Sequence, residues 1–348
     1  MNNAKQPSRK VSLLLFFVLV VSGISLKTLG DAGELDTIWD HPLPDCHLVT
    51  GVTGAEDMAS VDKGTRVLVS ATDRQQLHPG QKSGIYIYDG VSNPRLIFET
   101  NGDPEGISAV ETETGTRVFV VVHQKTTDAV QIFNWIKATD SLQLDKEVSF
   151  DGVTALNGIV GLDANRFYVT QELGMPFSLA RDVEKLLRLP LGKLWFYDGK
   201  NVSVARDKIS YPNGLALSRD RKILYLASML SSSLIVFDLD SVSGDLHWRD
   251  QIVLHTAPDN LKWAGESLLI GAHPQLLHLF GHSHDARAIQ SPSQLISLEG
   301  LPDKPRIIEL YSSREGPLNA ITGGTPLGQR LIMGSVYDEG ILNCGTKP

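Results

Sequence analysis

The chain has no surplus of positive charge. Its 348 residues carry 32 Lys and Arg against 40 Asp and Glu, a formal net charge of −8, and its pI is near 5.7. Binding nucleic acid needs a basic face, so that class of partner is excluded. Mild acidity suits a protein that holds a hard cation with carboxylates. The pattern Gly-x-Ser-x-Gly is absent, so a serine nucleophile on an α/β-hydrolase elbow has no support. Helical periodicity is scarce, and only residues 177–187 read as an amphipathic helix, a short insertion. No linker or composition break divides the chain. Cysteine is nearly missing: Cys46 and Cys344 are the only two, and they sit at opposite ends.

The main apolar run, residues 11–26, is 16 residues long, short of the roughly 20 that span a bilayer. Lys5, Arg9 and Lys10 precede or flank it. That is the pattern of an export signal or a signal-anchor over residues 1–30. Cleavage near 23–30 and retention as an anchor both stay open. Either way the chain enters the secretory pathway, and is secreted or N-terminally anchored with the rest outside the cytosol. Asn201-Val-Ser203 is a glycosylation sequon that fits export. An exported chain with two cysteines is expected to pair them. A Cys46–Cys344 bridge would tie the first strand to the last and close a circular fold; the alternative is two unrelated buried thiols.

What is abundant is short β-rich runs bounded by Gly, Asp and Asn. They include residues 84–90, 118–122, 129–133, 166–170, 193–199, 223–227, 233–238, 267–271 and 330–335. Aromatic and β-branched residues dominate them. Tyr-Asp-Gly ends equivalent strands at 88–90 and 197–199. Comparable strand pairs recur about every 45–55 residues, the size of a four-stranded propeller blade. The expectation is an all-β, six-bladed propeller over residues 40–348.

Polar residues stand where strand pattern stops, beside Gly or Pro: Glu56-Asp57, Asn157-Gly158, Pro212-Asn213-Gly214 and Pro258-Asp259-Asn260. Each alone reads as an ordinary turn. In a propeller, however, loops at one end of the channel face each other. Glu56, Asn157, Asn213, Asp259 and Asn260 would then make an all-oxygen set suited to Ca²⁺.

With these segments in view, the chain resembles the paraoxonase/arylesterase family, calcium-dependent lactonases and esterases on six-bladed propellers. The likeness is collinear from Leu43 to Cys344. It runs through Leu43-Pro-Asp-Cys-His-Leu-Val-Thr-Gly51, Glu56-Asp57, Asp103-Pro-Glu-Gly-Ile-Ser108, Val120-Val-Val-His123, Leu156-Asn-Gly-Ile-Val160, Asn213-Gly-Leu-Ala-Leu-Ser218, Asp259-Asn-Leu261, Gly271-Ala-His-Pro274 and Gly334-Ser-Val336. The resemblance implies a catalytic Ca²⁺ on Glu56, Asn157, Asn213, Asp259 and Asn260, and the Cys46–Cys344 bridge. It also implies a second, structural ion held partly by Asp57 and the carbonyl of Ile107. There the chain departs from the family: Gly158 stands where the family has Asp and brings no carboxylate. Of the family's His pair for activating water, His123 matches one member and Glu105 replaces the other. His273 matches a position lining the site.

The implied reaction is hydrolysis of a small-molecule lactone or aryl ester, with water activated by Glu105 or a Glu105–His123 pair. The apolar N-terminus and the 177–187 helix point to hydrophobic substrates and to membrane or lipid proximity. A sugar lactonase of the gluconolactonase/regucalcin type and a non-catalytic, calcium-stabilised binding propeller are the alternatives. His278, His282 and His284 resemble a metal cluster, but their spacing in a Gly- and Ser-broken stretch is expected to form an exposed loop instead.

Overall fold

The computed structural model describes residues 9–346; Lys5 and the start of the expected targeting segment lie outside them. Six four-stranded antiparallel sheets surround a central channel. Blade 1 runs Ala55–Val61, Arg66–Ala71, Gly84–Tyr88 and Arg95–Glu99 from inside to outside. Blades 2 to 5 repeat this order, with inner strands Asp103–Thr112, Leu156–Gly161, Pro212–Leu217 and Ala257–Ala264. The expected runs all fall in strands, and the two Tyr-Asp-Gly segments close the third strands of blades 1 and 3. Gly90 and Gly199 have φ of +86° and +98°, which the tight turn requires and glycine adopts at little cost.

Blade 6 is assembled from both ends of the chain. Ile321–Leu327, Arg330–Ser335 and Glu339–Gly345 form its inner three strands. Its outer strand is His47–Thr53, which pairs antiparallel with Glu339–Gly345 so that Leu48 faces Leu342. The Cys46–Cys344 disulfide locks this seam.

Inner strands read as fully buried, as in Pro212–Leu217, whereas outer strands such as Asp245–Val253 expose most positions. The core is therefore a ring. One apolar cluster lies at each of the six blade interfaces. Between blades 3 and 4, for example, Leu162, Tyr168 and Phe196 meet Leu215, Leu224 and Phe237. A seventh cluster lies above the channel mouth, where Met229 and Leu230 meet Leu276 and Leu279.

Among the described residues three α-helices depart from the sheets. Helix α1 spans Arg9–Asp31. Among the described residues no helix is long and apolar enough to cross a membrane. Helix α2, Ser178–Leu186, matches the amphipathic segment expected at 177–187. Helix α3, Leu276–His284, corrects the expectation of an exposed loop. Its three histidines diverge. His282 is fully buried, with Nδ1 2.5 Å from the carbonyl of Ile289, and His278 Nδ1 lies 2.6 Å from Glu34 Oε2. His284 turns toward the channel mouth. The apolar residues Leu276 and Leu279 supply the buried face that the Gly and Ser had obscured.

Candidate active site in the central channel

All six inner strands break register at the same place. Each carries an irregularity at Glu56, at Glu105-Gly106, at Asn157-Gly158, at Asn213-Gly214, at Asp259-Asn260 and at Thr322. A bulge puts an extra residue on one strand and re-aims its side chain. Here the repeat delivers Glu56, Glu105, Asn157, Asn213, Asp259 and Thr322, one per blade, into one cavity of about 490 Å³. Glycine after the polar residue lets neighbouring inner strands close up: a Cβ on Gly106 would lie 2.4 Å from the carbonyl oxygen of Asn157, and one on Gly214 2.4 Å from that of Asp259.

Four buried oxygens in this ring accept no hydrogen bond among the described residues: Glu56 Oε2, Asn157 Oδ1, Asn213 Oδ1 and Asp259 Oδ1. Buried acceptors are nearly always satisfied, so a cluster of four needs an explanation. Their neighbours hold the other atoms in place. Asn157 Nδ2 donates to Glu172 Oε2 at 2.9 Å, which leaves the amide oxygen for the cavity. Asn260 Nδ2 donates to Glu56 Oε1 at 3.0 Å, and Thr322 Oγ1 donates to the Glu56 carbonyl at 2.6 Å. His273, buried as expected beside the site, has Nε2 2.7 Å from Asp259 Oδ2. Burial drives the Glu56 carboxyl well above its usual range, and the charges of Glu105, Asp57 and Asp259 push it further. Burial likewise raises Asp259 in spite of His273. Two carboxylates and two amide oxygens that lack donors and repel one another are the donor set a hard divalent cation takes. The residues present therefore fit such an ion.

Beside this ring sits a second group. Glu105 is buried and paired with Arg74, whose Nη2 and Nε lie 2.8 and 3.2 Å from Oε1. Arg74 also reaches backbone carbonyls of Gly54, Thr72, Pro104 and Val336. His123 ends the second strand of blade 2, with Nδ1 3.5 Å from Glu105 Oε1 and Nε2 2.5 Å from the carbonyl of Leu156. A carbonyl only accepts, so Nε2 carries the hydrogen and Nδ1 is the basic nitrogen. Burial opposes protonation of His123, but Glu105, Asp128 and the Leu156 carbonyl outweigh it and raise its pKa. Glu172 is half-buried on the cavity wall. Burial first, then the charge of Glu105, lifts its pKa to about 7.

Sequence reasoning passed over Arg74, Glu172 and Lys262. Lys262 bears on the expected second ion. Its Nζ lies 2.9 Å from Asp57 Oδ2 and 3.0 Å from the Ile107 carbonyl oxygen. The two oxygens assigned to a structural ion are thus taken by an ammonium group, and the arrangement of Asp57 and Ile107 does not fit a metal. The signal was available: a lysine three residues after the ring residue Asp259, on an inner strand, is out of place unless it has a partner.

One wall of the cavity is apolar, built by Leu173, Pro176 and Phe177 before α2, Met229 at the end of blade 4, and Leu279 and Phe280 of α3. Buried Glu184 of α2 accepts from the backbone N–H groups of Gly174 and Met175, which fixes the helix over the loop that carries Glu172. Asn201 is exposed at the outer edge of blade 3.

Comparison with known proteins agrees with this architecture. The arylesterase family model matches residues 98–345. Serum paraoxonase/arylesterase 2 of Bos taurus is 25% identical over 315 residues, covering 86% of this chain and 88% of that protein. Serum paraoxonase/lactonase 3 of Homo sapiens is 24% identical over 311 residues, covering 84% and 87%. Among solved structures, luciferin-regenerating enzyme superposes with a TM-score of 0.56 at 13% identity, over 87% of this chain and 99% of that one. A gluconolactonase from Xanthomonas campestris superposes with a TM-score of 0.51 at 14% identity, over 90% and 99%. At such identities the structural likeness speaks for the propeller alone.

Proposed function

The chain belongs to the arylesterase family, and on that premise we propose that it is a calcium-dependent hydrolase of lactones and aryl esters. The observation that carries this reading is the set of four unpartnered buried oxygens on Glu56, Asn157, Asn213 and Asp259. These residues would hold one Ca²⁺, with Asn260 the fifth ligand through its amide oxygen, since its nitrogen is engaged by Glu56. Bound there, the ion supplies polarisation of the substrate carbonyl and charge to offset the oxyanion.

The chain's own residues do the rest. His123 takes a proton from the attacking water at Nδ1, because Nε2–H is committed to Leu156. Glu105 stands 3.5 Å from that nitrogen and stabilises the imidazolium that forms. Arg74 fixes the Glu105 carboxylate, and His273 orients Asp259. The proton returns to the leaving alkoxide or phenoxide from His123. Glu105 therefore supports the base in place of the second histidine of the family pair.

The apolar wall of Leu173, Phe177, Met229 and Phe280 favours hydrophobic acyl or aryl groups over polyols, which weighs against a sugar lactonase. Exposed Phe177, Leu179, Leu186 and Leu187 lie on α2 and its flanks, with Phe177 at the cavity wall. With the N-terminal apolar segment, they support membrane or lipid association in the secretory pathway, where the disulfide and a glycan on Asn201 also belong.

The deciding experiment is hydrolysis of alkyl lactones of graded chain length, a sugar lactone and phenyl acetate, with and without a calcium chelator. Chelator-sensitive turnover that rises with alkyl length is expected. No turnover of any substrate, together with a melting temperature still raised by calcium, would leave a binding propeller.

A further inference from the structure

Below the bulged ring lies a second level of the channel. Three residues after each bulge position stand Ala59, Ser108, Val160, Ala216, Lys262 and Thr325, one per blade, around a cavity of about 370 Å³. Five of the six are small or apolar. The sixth is a lysine on the inner strand of blade 5, whose ammonium crosses the channel to Asp57 of blade 1 and the Ile107 carbonyl of blade 2. It lines the lower cavity.

The oxygens it meets are otherwise equipped to hold a cation. Asp57 is buried, and it accepts from the backbone N–H groups of Met58 at 2.8 Å and Ile107 at 2.9 Å. A carboxylate this deep requires a counter-charge. A calcium ion would need six to eight oxygens, whereas one carboxylate and one carbonyl are present. The neighbouring blade cannot add another, because a Cβ on Gly158 would lie 2.3 Å from the carbonyl oxygen of Asn213. An ammonium needs far less: one charge partner, a second acceptor and an aliphatic stem laid along the channel wall.

We propose that Lys262 is a built-in cation that replaces a second metal ion, so that this chain holds one divalent ion, in the upper ring, and the lower level of its channel is closed by the ion pair and hydrogen bond of its own side chain. Three consequences follow. The propeller centre keeps its cross-blade tie among blades 1, 2 and 5 when calcium is withdrawn. The lower level neither gains nor loses an ion as calcium concentration changes. Any response to chelator belongs to the upper ring alone.

The test reads calcium bound per chain, by equilibrium dialysis and elemental analysis of the full chain, and melting temperature in chelator. It does not depend on the hydrolase reading. In Asp259→Ala, with Asn213→Ala as a second variant should the first not fold, the lower level is intact and is expected to bind no calcium. One ion retained in these variants would overturn the inference. In chelator, Lys262→Met leaves Asp57 buried without a counter-charge and is expected to melt lower by on the order of 5–10 °C. An unchanged melting temperature would equally overturn it. The wild-type chain is expected to bind one calcium; if it bound none, the catalytic ion and the one-ion count would both fail, and the Lys262→Met melting temperature in chelator alone would decide whether the lysine fills the lower level.

Discussion

The pairing of Arg74 with Glu105 makes a prediction that joins stability to catalysis. Both side chains are largely buried, at 15% and 9% exposure, and their closest contact is 2.8 Å. Removing one partner of such a pair leaves the other charged in a low-dielectric site, at a cost of about 3–5 kcal/mol. Arg74→Met should lie at the upper end, because the contacts to Gly54, Pro104 and Val336 carbonyls disappear as well. Glu105→Gln should lie at the lower end, since an amide still accepts from the guanidinium. In the double variant the carbonyl contacts are lost once and no charge is stranded, so the two losses should fail to add by about 2 kcal/mol. Urea unfolding in chelator, with all four proteins compared at constant m-value, measures that coupling. Glu105→Gln has a second readout. Glu105 raises the pKa of His123, so its neutralisation should lower turnover by roughly 10²-fold and shift the acid limb of the pH–rate profile, where the base loses its proton, toward lower pH. Additive stability losses with an unmoved pH limb would refute both the buried pair and the role assigned to Glu105.

Other outcomes follow from the same geometry. Asn213→Ala removes one of the four unpartnered oxygens and should abolish chelator-sensitive turnover while the circular dichroism of the propeller persists; full activity would dismiss the ring as the ion site. Replacing both cysteines opens a loop with a sequence separation of 298, and loop entropy then gives a loss of about 6 kcal/mol, readable as a lower urea midpoint. A much smaller loss would mean that the strand pairing of His47–Thr53 closes the ring unaided. Asp338 tests the acid limb of stability. Burial raises its pKa, but His282 and the two N–H donors of Asn319 outweigh burial and hold it below the usual carboxylate value. A depressed folded pKa contributes stability that is present above about pH 4 and lost as pH falls through the folded value. Asp338→Asn should therefore flatten the unfolding curve below about pH 4 and lower stability at neutral pH; an unaltered acid limb would reject the pairing.

The blades were legible in the sequence because their signal is local. Strand-length runs and Tyr-Asp-Gly turns recur at blade spacing, and each depends on few neighbours. The polar residues at Asn157, Asn213 and Asp259 were legible for the same reason, being beside Gly or Pro at repeated positions, and Glu56 stands two residues after Gly54. Helix α3 was hidden because Gly281 and Ser283 interrupt its periodicity, although burial of His282 against Tyr337 stabilises it from outside the segment. Arg74 and Glu172 were hidden because nothing local marks them. Each matters only through a residue on another strand, Glu105 and Asn157 respectively.

Lys262 shows why a likeness read motif by motif misses compensation. The resemblance isolates Gly158, where it implies a carboxylate that the chain lacks, and by itself that absence points to a weakened ion site or an empty one. The replacement lies elsewhere, two residues after Asn260 in a strand that otherwise follows the pattern. The two departures make physical sense only together. With Asp at 158 and Lys at 262 the lower channel would hold Asp57, a second carboxylate and one ammonium, and with Gly at 158 and a small residue at 262 it would hold Asp57 alone. Either combination strands about one buried charge. The observed pair leaves none, and the close approach of Gly158 to the Asn213 carbonyl then becomes available to pack blades 3 and 4. The charge balance of the channel, rather than the presence of any single ligand, is what the fold maintains.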